Sequence, residues 1–205
     1  MTRRFFAATI GVLAILAAIS LTPVLAQQAS STGSAAQSAT QPNTTLALGK
    51  LEATMSLADP DSAEFGAAVN DYWKLIVASN DGPRVYDFFR ALTAERKASS
   101  ATLLAQRASA ACYYMAWLAQ ANLMETFGSR VTQIDAQARA DFDQALKLDP
   151  ENFSALYGYA IYEGYRPGGK AHQRELLNRL DAMRASRPYF PWQLVDTLEK
   201  TGKPE

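Results

Sequence analysis

Beyond residue 45 the apolar residues of this chain recur at steps of three and four, and no segment alternates polar and apolar in twos as a half-buried strand does. "LALGKLEATMSLADP" predicts a short helix ending before Asp59-Pro60, because the residue before proline avoids the helical region. Phe65, Val69, Tyr72, Trp73, Ile76 and Val77 mark one face of a second helix, with Gly82 in "NDG" expected as its left-handed stop. Pro83 suits the first turn of a third helix that carries Val85, Phe88, Phe89 and Leu92. Leu104, Ala108, Ala111, Met115, Leu118 and Met124 then predict a rod of about 26 residues, roughly 39 Å long, stopped at Gly128. A further helix ends at Pro150, and another runs from near Glu151 to about Tyr162. "YRPGGK" reads as a loop. Leu176, Leu177, Leu180 and Met183 give the last apolar stripe before Pro188 and Pro191. The class is all-α.

The first 26 residues follow another pattern. Arg3 and Arg4 precede an apolar run from Phe5 to Leu21, and Val24-Leu25-Ala26 offers a small-x-small cleavage site. That order is a secretory signal over 1–26, and it predicts a periplasmic or secreted protein. A membrane span needs roughly 20 apolar residues, so no integral membrane segment is expected after cleavage; an uncleaved anchor is the alternative. "TRRFF" resembles the twin-arginine export motif, which leaves folded export open beside the ordinary route. Residues 27–45 hold no charge and no aromatic ring, so they bury too little to offset their ordering entropy and read as a flexible linker. The folded part is then 46–192, with 193–205 as a tail.

Charge narrows the partners. Without Arg3 and Arg4 the chain keeps 18 basic against 20 acidic residues, a net of −2. Nucleic acid asks for clustered positive charge, so it is not an expected partner. Cys112 is the single cysteine, so no internal disulfide holds the core.

One spacing is more particular. Ala138, Phe142, Ala145 and Pro150 form Ala-x3-Phe-x2-Ala-x4-Pro. This resembles the second helix and closing proline of a tetratricopeptide repeat, whose period is 34 residues. Small alanines let helices approach, Phe142 fills the gap, and Pro150 ends the helix. Leu156, Tyr159 and Ala160 fall at steps four, seven and eight of the next first helix, while Glu163 stands where the family has Tyr. Leu180, Met183 and Pro188 follow at the spacing of its second helix. Upstream, Trp117, Ala121 and Met124 match three steps of the helix expected to pair with 138–148, and Gln120 does not. Two imperfect repeats would thus cover Tyr113 to Pro188, with the earlier helices as degenerate pairs of a short solenoid. A closed helical bundle is the alternative. The resemblance implies a groove for a peptide or protein partner. It assigns Ser154, Tyr157, Ile161, Gly164 and Tyr165 to the lining, with Tyr157 and Tyr165 as aromatic anchors.

Catalytic chemistry finds little support. Asp141 and Asp143 lie two apart on a helix, point in different directions, and read as solvated positions. Asp149-Pro150-Glu151-Asn152 reads as a helix stop followed by a helix start. His172 is the only histidine, without metal-ligand spacing around it, and is expected to be exposed. Cys112 on an apolar helix side reads as a buried inert thiol. "RPGGK" lacks the order of a phosphate loop. The expectation is a non-enzymatic exported scaffold, without cofactor or metal, that binds a peptide or protein. A helical small-molecule-binding accessory of a solute transporter is the alternative, marked by a closed apolar pocket.

Overall fold

The computed structural model describes residues 37–96, 100–188 and 190–202. The signal reading and the first ten residues of the linker lie outside them. Every described element is an α-helix, as the apolar spacing predicts. No helix among the described residues is long and apolar enough to cross a membrane. The chain divides at Asp81–Gly82 into two compact units.

The earlier unit holds α1 (Gln37–Leu57) and α2 (Ala63–Ser79), packed along each other. Helix α1 begins inside the segment that composition reads as linker, so the flexible reading of 27–45 fails from Gln37 onward. The helix is anchored by the burial of its apolar residues Leu48 and Met55. In α2, Phe65, Ala68, Val69, Tyr72 and Ile76 are buried, and the Tyr72 hydroxyl donates to Glu52 Oε1 at 2.9 Å. Ser62 caps α2 by accepting from the Phe65 N–H at 3.1 Å. The left-handed stop is Asn80, with φ 52°, and not Gly82. Its N–H reaches the Val77 carbonyl and that of Asp81 reaches Ile76, which satisfies two terminal carbonyls.

The later unit holds α3 (Gly82–Glu95), α4 (Ala101–Gln120), α5 (Gly128–Leu148), α6 (Phe153–Tyr165), α7 (Lys170–Met183) and α8 (Trp192–Gly202). Gly82 opens α3. Its lack of a side chain admits Trp117, whose Cβ stands 2.6 Å from where a Cβ of residue 82 would be. Ser100 caps α4. Thirteen of the 20 residues of α4 are buried. A helix covered on most sides is a central one, and α4 has α3, α5 and α6 as neighbours.

The expected long rod stops early. Helix α4 ends at Gln120, Asn122 takes φ 57°, and Gly128 starts α5. The Asn122 N–H bonds the Ala119 carbonyl and the Leu123 N–H bonds the Leu118 carbonyl, so the chain turns by a Schellman motif. The helix that pairs with 138–148 is therefore the whole of α4, and the partner role expected for Ala121 and Met124 is not filled.

Two hairpins result. Helix α4 packs along α5 and α6 along α7, while α4 lies beside α6. At the joint, Asp149 ends α5 and Asn152 starts α6 by accepting from the Ala155 N–H at 3.0 Å. Ala138, Phe142 and Ala145 are fully buried. The Phe142 ring lies 4.9 Å from that of Tyr159, nearly parallel. Ala101, Leu104 and Ala105 of α4 meet Ala145 of α5 and Ala155 of α6 in one apolar cluster. The expected C-terminal tail is also a helix. Val195 and Leu198 of α8 are buried and Trp192 nearly so. Pro191, read from sequence as a terminator, stands just before α8, where a missing N–H costs nothing.

Candidate functional site

Helix α6 carries every residue that the sequence assigns to a groove. Ser154, Tyr157, Ile161 and Tyr165 follow steps of three and four, so they share one stripe of the helix. Their exposure differs from expectation. Tyr157 is only 8% exposed and Ile161 is buried, while Ser154, Gly164 and Tyr165 are half-buried. The Tyr157 ring stacks on Phe153 at 5.8 Å. Phe190 and Trp192 stand edge-on to Phe153 from the other side of the sequence, at 4.8 and 5.9 Å. Tyr157 is thus part of an aromatic cluster that the chain's own C-terminal end completes, and it is not an open anchor. Burial pushes its phenol up to about 12, and the nearby Tyr165 phenol adds to the shift. Burial also raises Tyr165.

Sequence reasoning missed most of the polar pairs buried between α4 and α5 and at the end of α6. Asp141 on α5 is no solvated position: it is 3% exposed. Arg107 of α4 grips it with Nε at 2.6 Å and Nη2 at 2.5 Å, and Gln137 donates at 2.7 Å. A planar two-pronged grip on a carboxylate is what a guanidinium does best. Asp143 is exposed, as expected, and its carboxylate adds to the upward shift of the Tyr159 phenol. The Tyr162 hydroxyl donates to Asp135 Oδ1 at 2.5 Å. Burial first, and these carboxylates second, hold both phenols above their ordinary range.

Glu163 is the other buried acid, 1% exposed. The Arg166 Nε donates to its Oε2 at 3.2 Å, and His172 Nδ1 lies 3.8 Å from its Oε1. His172 is half-buried rather than exposed, with its ring edge-on to Tyr159 at 4.8 Å. Gly169 comes so close that a Cβ there would overlap the Glu163 backbone carbonyl oxygen. The signal for Glu163 was a charge inside "AIYEGY", where the family resemblance asks for Tyr. No local pattern pairs Arg107 with Asp141, which lie 34 residues apart.

Cys112 is half-buried, and burial followed by the Asp135 charge pushes its thiol well above the ordinary value. A thiol held protonated is a poor nucleophile. Among the described residues no group of three His, Cys, Asp or Glu side chains could hold a metal ion.

The fold and this site define an all-α chain of packed helical hairpins, with an aromatic stripe on α6 and compensated ion pairs between α4 and α5 and at the end of α6. Set against protein-family models, curated proteins and solved structures, the chain matches none.

Proposed function

We propose that this chain is a non-enzymatic, exported helical-hairpin scaffold of the tetratricopeptide type that binds a peptide or protein partner in the cell envelope. One observation carries the reading: aromatic side chains gather along α6, with half-buried Tyr165 as the more open ring and Tyr157 stacked on Phe153 in a cluster that the C-terminal residues Phe190 and Trp192 complete. Aromatic anchors supply most of the energy of protein interfaces. The two buried acids are already compensated, Asp141 by Arg107 and Glu163 by Arg166. The N-terminal segment would tether the scaffold after export.

The test is capture of partners from envelope extract by chain 27–205, wild type against Tyr157→Ala. The expected outcome is a captured protein that the variant loses while its helical circular dichroism is unchanged. Equal capture by both chains would sink the assignment to the α6 stripe.

A further inference from the structure

The C-terminal helix is built like a ligand for the aromatic cluster it joins at Phe153. Trp192, Val195 and Leu198 recur every three residues and are buried. Trp192 stands edge-on to Phe153, the ring that covers Tyr157. An amphipathic helix laid by its apolar face onto a groove is a common way to recognise a peptide. Arg184, just after α7, lies over the Trp192 ring at 5.0 Å and pairs with Asp196 at 2.7 Å.

Helix α8 depends on this packing to persist. It has 11 residues, fewer than a helix needs to persist alone in water. Its ion pair to Arg184 is open to solvent on both sides, and exposed pairs hold little. Residues 184–191 join it to α7 and include Pro188 and Pro191. Such a short tether presents α8 to its seat at an effective concentration on the order of millimolar. A free helix at micromolar concentration competes poorly with that, however well it fits.

We propose that α8 is a displaceable occupant of the α6–α7 seat, and that the partner the seat fits is an amphipathic helix of the α8 pattern: an aromatic residue, then Val and Leu at steps of three, with an acid beside the Val to meet Arg184. This deepens the scaffold reading and rests on it. In the resting chain the seat is closed in cis, and it binds in trans when α8 is released.

The probe is a fluorescein-labelled peptide of residues 191–202, PWQLVDTLEKTG, titrated by anisotropy into chain 27–205. Val195→Asp in the full chain puts a charge where a buried side chain packs, and so frees the seat. The variant is expected to bind the peptide about tenfold or more tighter than wild type, since apparent affinity scales with the fraction of open seat. A peptide carrying V195D should not bind the variant. Equal binding of the peptide by wild type and variant, or none by either, overturns the proposal. A second measurement needs no variant. In wild-type chain the amides of α8 should exchange hydrogen at least about tenfold faster than those of α6 and α7, by local release; exchange of all three together also overturns it. If these fail while envelope capture still depends on Tyr157, α8 is a fixed cap and the scaffold reading stands. If the peptide binds but no partner is captured through Tyr157, the seat stands and the scaffold reading falls.

Discussion

Asp141 takes three hydrogen bonds between α4 and α5 while almost wholly out of water. Arg107 is only 19% exposed itself, so whichever charge survives the loss of its partner stays largely buried. Breaking a buried pair from one side typically costs about 3–5 kcal/mol, because the survivor stays buried and uncompensated. Asp141→Ala is therefore expected to lower unfolding stability by about that much. Adding Arg107→Ala should cost far less than the two single losses combined, and a double-mutant cycle in urea reads the difference. If the two losses simply add, the pair is not coupled. The pattern of acids along α5 does not separate buried Asp141 from exposed Asp143; only the position of α4 does.

At the scale of elements, the two turns that sequence missed use the same device. Both α2 and α4 end with an asparagine in the left-handed region, Asn80 and Asn122, and both close Schellman hydrogen bonds. Glycine is the usual residue there and asparagine the second choice. The sequence offered Gly82 and Gly128 close behind, and each instead begins the next helix. Asn122 is exposed, so its substitution tests the backbone alone. Asn122→Ala should lose about 1 kcal/mol, since an ordinary L residue strains in this conformation, while Asn122→Gly is neutral or stabilising. Thermal unfolding of the two variants distinguishes this from a turn with no left-handed demand, in which Ala would be the better residue. Pro191 teaches a related lesson. A proline marks a helix boundary, but whether the helix lies before or after it depends on the apolar residues that follow, here Val195 and Leu198.

For the molecule as a whole, the docking of α8 carries a pH dependence. Glu199 of α8 faces Asp181 of α7, with Arg184 and Asp196 beside them. Burial, then a hydrogen bond and the charge of Asp181, raise the Glu199 pKa above the ordinary carboxylate value, against the pull of Arg184. A group whose pKa is raised on docking stabilises the docked state when protonated. That contribution is complete below its undocked pKa and is lost as pH rises through the docked one. Protection of the α8 amides relative to those of α7 should therefore fall as pH rises from about 4, the ordinary glutamate range. Glu199→Gln should remove the fall and keep the acid-side protection at higher pH. A wild-type ratio that is flat with pH, after correction for intrinsic exchange, would show that Glu199 is not coupled to docking.

The sequence by itself determined the class, most of the helix faces and one joint. Steps of three and four are imposed by the helix on any chain that buries a side, and Asp149 to Asn152 encode a stop and a start in adjacent residues. The packing side of α5, with Ala138, Phe142 and Ala145, was legible for the same reason. Tertiary structure decided what local pattern cannot carry. Tyr157 is buried because Phe153 stacks on it and α8 returns to that cluster from the far end of the chain. Asp141 is buried because α4, remote in sequence, supplies its cation, and Glu163 because the turn into α7 folds back over it. Exposure and charge compensation are properties of neighbours in space, and in the cluster over Tyr157 Phe153 and Trp192 lie 39 residues apart.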